Sequence, residues 1–592
     1  MQLWLVTGSR RRWRRASCTL RHPVRRPVRR APYAAHHAVS ARLTSFAPQL
    51  PSVPRSRSLN LLDPAPLNLR GDAHRWVFPV ELNRLESLVM RRLHRNGRLF
   101  AFLRKHRHEL FDEKFQSELA TMYADMPRGT PPKPPALLAM VTLLQAYERK
   151  SDAAAVEEAV FDRRWQMVLD CLGTEDPVFS QGVLVDFRRR LIEHDMDRRL
   201  LDRTVELARR TKQFGDKTLR VALDSAPLWG AGRVEDTFNL LGHALEVVVE
   251  CAAQVLGRDA AAVRTEAQLE LLGGSSLKAA LDIDWDDETQ QRSALARLLE
   301  EVHRLRRWLA DRLPDRVAQP PLKEALALID RVIAQDLEPD PEGGGLRIKR
   351  GVAHDRRVSV TDPDMRHGRK SKSKLFNGYK RHLARDLEDG LILAATVRPA
   401  NEPEHYAAEM LRPDVEVHGT VTELHIDRGY LASTWTRQMF ERGHRILAKP
   451  WPSRNGDRFP KSAFLIDLDR GTVRCPEQRL APIGASLARF DAASCDACPS
   501  RPRCTRASLG HGRTISIHPD ERLLLHLRMA KANPEGCRAL RQRTAIEHVL
   551  AHVTRRQGPR ARYRGIRKNV FDLRRTCAVE NLHALDRAKR AA

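Results

Sequence analysis

Three acidic residues, Asp224, Asp427 and Glu547, stand in settings that suit phosphodiester chemistry. In-line attack on a phosphodiester by water or a 3′-hydroxyl is served by two divalent cations about 3.5–4 Å apart. One activates the attacking oxygen and the other steadies the leaving one. Mg²⁺ or Mn²⁺ takes hard oxygen ligands and keeps several waters, so a few carboxylates suffice. Those carboxylates must sit on rigid elements whose ends converge.

The elements that would position them can be read locally. Thr218 to Leu223 reads as a strand ending at Asp224, and Val421 to Ile426 as a strand ending at Asp427. Glu547 falls in a helix expected from about Ala539 to Arg556. Further strand signals lie at 357–360, 376–383, 391–397 and 445–448, with a helix over 403–411. Taken singly each acid is a weak signal. An Asp at a strand end is more often a turn former, and a Glu on a basic helix is more often an ion-pair partner. Asp362 and Asp364, in a Thr-Asp-Pro-Asp turn, are the main rivals as metal ligands, with turn chemistry the commoner role.

Residues 76–214 have a helical pattern, broken by the Pro-rich stretch 129–135. Ser151 or Asp152 suits a helix N-cap. Short helices ending in Phe187-Arg188-Arg189-Arg190-Leu191 suggest a helix-turn-helix-like DNA-contacting domain, or equally a helical bundle with solvated arginines. The segment 243–340 has the helical periodicity of an all-α insertion, closed by Pro339, Pro341 and Gly343–Gly345.

The formal net charge is +29 over 592 residues. Such an excess favours a polyanionic partner, and the usual one is nucleic acid. The first sixty residues hold thirteen Arg and neither Asp nor Glu. They read as a transit-peptide-like segment, a disordered DNA-binding arm or a misassigned start. The rest of the chain is still strongly basic. No run of 18 apolar residues is present, so no membrane span is expected. Phosphate-loop, dinucleotide and Gly-x-Ser-x-Gly motifs are missing, which leaves nucleotide hydrolysis and cofactor chemistry without support.

Nine Cys, five of them scattered, do not form a secreted disulfide framework, so a reducing cytosol is expected. Cys475, Cys495, Cys498 and Cys504 give the spacing C-x₁₉-C-x₂-C-x₅-C, a candidate closed structural zinc site. His511 and His518 are spare ligands, and reduced free thiols are the alternative.

The motifs taken together resemble the DDE transposases of bacterial insertion sequences over roughly 76–585. The matching pieces are Pro134 to Leu138, Ser151-Asp152, Phe187 to Leu191, Leu223-Asp224-Ser225, Thr361 to Asp364 and Asn377 to Lys380. They continue through Asp427-Arg428-Gly429-Tyr430, Arg543 to Glu547, Arg562-Tyr563-Arg564-Gly565 and Asn581-Leu582. Where related transposases carry a Tyr before the Arg and a Lys after the Glu, this chain has Leu540 and Thr554, with Arg555 adjacent.

The resemblance implies an α/β, RNase H-like core with Asp224, Asp427 and Glu547 holding Mg²⁺ or Mn²⁺. Arg543 could clamp a phosphate or pair with Glu547. Lys380, Arg381, Arg428, Arg555, Arg562 and Arg564 are candidate DNA contacts, and Tyr430 could stack on a base or pack in the core. The expected organisation is an Arg-rich segment or misassigned start over 1–70 and a helical DNA-binding domain over 71–214. The core follows over 215–242, interrupted by the all-α insertion 243–347, and resumes over 348–450. A Cys-bearing insertion spans 451–525, and 526–592 is the C-terminal helical part of the core carrying Glu547. The implied function is metal-dependent cleavage of element ends and strand transfer into target DNA, by a homodimer or higher assembly at the nucleoid in the cytoplasm, with no membrane role. A metal-dependent nuclease without strand transfer and an inactive DNA-binding protein are the alternatives.

Overall fold

The computed structural model describes residues 74–94, 97–123, 132–210, 218–274, 276–341, 343–371 and 373–591. The expected Arg-rich segment 1–70, and Gly129 to Pro131 of the Pro-rich break, lie outside the described residues.

The architecture is mixed α/β, built on one six-stranded sheet. Its strands are β1 (Leu219–Trp229), β2 (Arg366–Arg369), β3 (Leu375–Asp386), β4 (Ile392–Pro399), β5 (Val421–His425) and β6 (Arg445–Leu447). β3 runs antiparallel to β1 on one side and to β2 and β4 on the other. β5 runs parallel to β1, and β6 parallel to β5. Three antiparallel pairings therefore lead into two parallel ones. Val221, Ala222 and Leu223 are buried in succession, as are Ile392 to Val397. Continuous apolar runs of this kind belong to strands covered on both faces.

Helices supply that cover. The helix Ile566–Ala591 packs on β4 and on the helices Pro135–Glu148 and Met196–Arg209. Pro135–Glu148 is apolar all round, starts with Pro at its first position and buries twelve of its fourteen residues. Such a helix is stable only inside other elements. One apolar core runs from Trp76 through the N-terminal helices and the sheet to Leu585.

Sequence motifs far apart in the chain lock this core. The Arg188 guanidinium pairs with Asp152 at 2.6 Å, donates to the Tyr563 hydroxyl at 2.8 Å and lies over the Tyr563 ring. Buried Asn581 accepts from the Ile392 amide at 2.8 Å and donates to the Ile392 carbonyl and the Thr204 hydroxyl, each at 2.9 Å. Asp362 accepts from the Tyr379 hydroxyl and the Gly565 amide, and Asp364 accepts from the Ile566 amide at 2.9 Å. The two rival acids thus tie down the start of the closing helix, where backbone amides need acceptors.

The insertion forms a second core of helices, from Thr237–Leu256 to Leu322–Asp336, ending in the hairpin Leu337–Pro339 with Leu346–Ile348. Thr237–Leu256 is long and apolar enough to cross a membrane by length and composition, which the apolar-run criterion missed. Half of that apolar stretch is buried within the protein, where it packs on Leu322–Asp336. A third, small core of Phe464, Ile466, Val473, Ala481, Ala488, Phe490 and Ile515 holds the Cys-bearing segment.

Three local expectations need correction. β1 continues five residues past Asp224, because Ser225 to Trp229 keep pairing with β3 down to Gly378. A Cβ on Gly378 would lie 2.3 Å from the Leu228 carbonyl oxygen, so glycine permits that close crossing. Residues 357–360 form no strand, only a bridge from Arg357 to Arg366. The expected helix over 539–556 is two helices, Pro534–Gln542 and Thr544–Gln557, parted at Arg543.

Candidate active site

Parallel register brings the first two acids together. Ala222 pairs with His425, and two residues further along each strand stand Asp224 and Asp427, at the same end of the sheet. The third acid arrives on the helix Thr544–Gln557, whose Ile546, Leu550 and Val553 form a buried stripe against β1. Glu547 follows Ile546 in the first turn, where the helix dipole favours a negative charge. Asp224, Asp427 and Glu547 line one groove of about 690 Å³, with Ser225, Arg369, Lys370, Lys380, Glu404, Arg543, Thr554 and Arg555.

The three carboxyls interact electrostatically. Burial lifts the Asp224 carboxyl above its usual range; Arg543 pulls it down, while Glu547 and Asp427 add to the rise. Asp224 accepts from the Ser225 amide and Asp427 from the Arg428 amide, both at 2.8 Å. Arg543 spans two of the acids, 3.3 Å from Asp224 and 2.6 Å from Glu547. The ion pair with Glu547, one of the two readings of Arg543, is therefore present.

Among the described residues, no group of three or more His, Cys, Asp or Glu is gathered closely enough to hold a metal ion. The groove acids nevertheless fit a hard divalent cation by donor type. Burial, with Glu547 and Asp427 adding to it, raises the Asp224 carboxyl, and a bound cation would favour the ionised form. In its place a guanidinium bridges Asp224 and Glu547.

Basic side chains rim the groove. Arg369, Lys370 and Arg555 are exposed, and Lys380 donates to the Glu402 carbonyl at 3.1 Å while lining it. Arg428 is half-buried beside Asp427, with its guanidinium over the exposed Trp451 ring. Arg562 and Arg564 are exposed but do not line the groove, and Arg562 donates to the Lys150 carbonyl at 2.5 Å.

Burial corrects the expected DNA contact at Arg381 and selects the core-packing reading of Tyr430. Arg381 has no exposed surface, and it donates to Gln557, the Pro227 carbonyl and the Gly558 carbonyl. Tyr430 is equally buried and shares a 2.7 Å hydrogen bond with His382. Neither reaches a duplex laid on the surface. Tyr430 forms the floor beneath the acids: burial, then Glu404 and Asp224, push its hydroxyl pKa far up.

Sequence reading missed Glu404, Arg369 and Lys370. The signal for the cations was the basic run from Arg366 to Lys374. For Glu404 it was an acid opening a helix directly after a buried strand.

Cys475, Cys495, Cys498 and Cys504 line a separate cavity of about 60 Å³ that neither His511 nor His518 lines. They too form no metal-holding group, so the zinc expectation finds no support.

Comparison with known proteins gives two matches. Residues 479–585, which include Arg543 and Glu547, match a family model described as Transposase DDE domain. Residues 89–190 match one described as Transposase domain (DUF772). Asp224 and Asp427 lie between the two matched segments. No curated protein and no solved structure matches the chain.

Proposed function

Since the chain is a DDE transposase of an insertion sequence, we propose that it cuts the ends of its element and joins the freed 3′-hydroxyl to target DNA with divalent metal. The observation that carries this is three acids from distant segments lining one basic-rimmed groove. The strand arrangement, antiparallel β4–β3–β1 followed by parallel β5 and β6, supports reading the sheet as an RNase H-like core.

In this reading Asp224, Asp427 and Glu547 would hold the cation. Mg²⁺ or Mn²⁺ would supply the charge that activates the attacking oxygen and steadies the leaving one. Arg543 exchanges its pairing with Asp224 and Glu547 for a phosphate oxygen of the substrate. Arg369, Lys370, Lys380, Arg428 and Arg555 neutralise the phosphates on either side. Arg562 and Arg564 extend that track, and the helical segment 71–214 recognises the terminal repeats. Two ends must be held together, so the active species is a homodimer or larger on DNA, working at the nucleoid in the cytoplasm.

The test uses a supercoiled plasmid carrying the DNA that flanks the reading frame on both sides. The full chain with Mg²⁺ or Mn²⁺ should break it at the element boundaries and yield joined products, and Asp224→Asn should do neither. Breakage without joining would make the protein a nuclease. Equal cleavage by Asp224→Asn would remove the site assignment.

A further inference from the structure

Glu404 is a fourth carboxylate of the groove, and the reading above gives it no role. It opens the helix Glu404–Glu416, which leaves β4 through Asn401 to Pro403, and it is half-buried. One carboxylate oxygen, Oε1, accepts from the Ser225 hydroxyl at 2.6 Å. The other lies against Gly429, where a Cβ would stand 2.1 Å from Oε2. A side chain at Gly429 would displace the Glu404 carboxylate from that contact. Ser225 directly follows Asp224, and Gly429 is two residues past Asp427. Glu404 therefore touches both segments that carry the strand-borne acids. The next residue along, Tyr430, is fixed beneath by His382.

We propose that Glu404 is a positioning residue, which sets the spacing between Asp224 and Asp427 by gripping Ser225 on one side and abutting Gly429 on the other. This deepens the transposase reading and rests on it. The grip needs an acceptor at Oε1, not a negative charge, so glutamine can replace it in part. Shifts of half an ångström in such a constellation are enough to weaken it.

The experiment compares Glu404→Ala, Glu404→Gln and Ser225→Ala in the full chain by two readouts. One is the Mn²⁺ concentration giving half-maximal nicking of the flank-carrying plasmid. The other is Tb³⁺ luminescence titration of the free protein. Glu404→Ala and Ser225→Ala should each raise the half-maximal Mn²⁺ about 10-fold and weaken Tb³⁺ binding in parallel, with Glu404→Gln within about 3-fold of native. If Glu404→Gln is as impaired as Glu404→Ala while Ser225→Ala behaves as native, Glu404 is a direct ligand and the proposal is wrong. Native behaviour of Glu404→Ala also overturns it. Should Glu404→Ala not fold, the other two variants still decide. If native protein and Asp224→Asn nick alike, the transposase site itself has failed, while the Tb³⁺ titration still reports on the Glu404–Ser225 tie.

Discussion

At Asp224 the fold works against the charge the site requires. Burial raises its carboxyl pKa, Arg543 offsets part of the rise, and two neighbouring acids add to it. A raised pKa means the neutral form is favoured in the folded protein. The stability this provides is complete below the unfolded pKa and is lost as pH climbs through the folded one. At pH 7.5 the ionised Asp224 is therefore a net cost. Asp224→Asn should lower cleavage at least about 100-fold yet raise the melting temperature by about 1–2 °C at pH 7.5. That gain should shrink as pH falls towards 4. A lower melting temperature at neutral pH would show that the Arg543 pairing outweighs burial. The arginines divide in the same way. Arg555 is exposed on the groove, so Arg555→Ala should reduce the salt slope of DNA binding by about 1 with stability unchanged. Arg381 is buried with three acceptors. Arg381→Met should cost about 2–4 kcal/mol in a urea titration, because acceptors lose their donors, and leave the salt slope alone. Both variants changing the slope equally would contradict this division.

Elements carry the next level of constraint, and Asn581 is the sharpest example. One buried amide closes the backbone of β4 to the helix Met196–Arg209. Asn581→Ala strands a buried amide and carbonyl of Ile392. It should cost about 2–4 kcal/mol in the same titration, whereas a change under about 0.5 kcal/mol would mean those groups find other partners. Much of this level was readable in the sequence. Apolar runs at 391–397 and 421–426 announced β4 and β5, and a helix was expected over 403–411. The failures have physical causes. β1 looked finished at Asp224 because an acid usually ends a strand, yet pairing with β3 carries Ser225 to Trp229 onward. Arg381 looked like a DNA contact by residue type, and only the register of β3 with β1 and β4 turns it inward. The place of Glu404 was marked by an acid opening a helix, but its partners, Ser225 and Gly429, meet it only in space.

Taken whole, the molecule is a strongly basic body with a net charge of +29. Binding to a duplex should weaken steeply with salt, with a log–log slope of about −5 to −9 if 6–10 phosphates are neutralised. Affinity that holds steady between about 50 and 200 mM salt would exclude the groove rim as the main contact surface.

The lock between Arg188, Asp152 and Tyr563 joins residues 375 positions apart, and the helix Pro135–Glu148 finds part of its cover in Ile566–Ala591. On the ribosome, that early helix must wait with an unsatisfied apolar surface until the helix Ile566–Ala591 has emerged. Transcripts cut short by a premature stop would release proteins with this surface bare, fit for proteolysis or aggregation rather than for occupying DNA. Copies of the gene broken upstream of the codons for Ile566–Ala591 should thus fall silent instead of yielding stable fragments that compete with the intact protein.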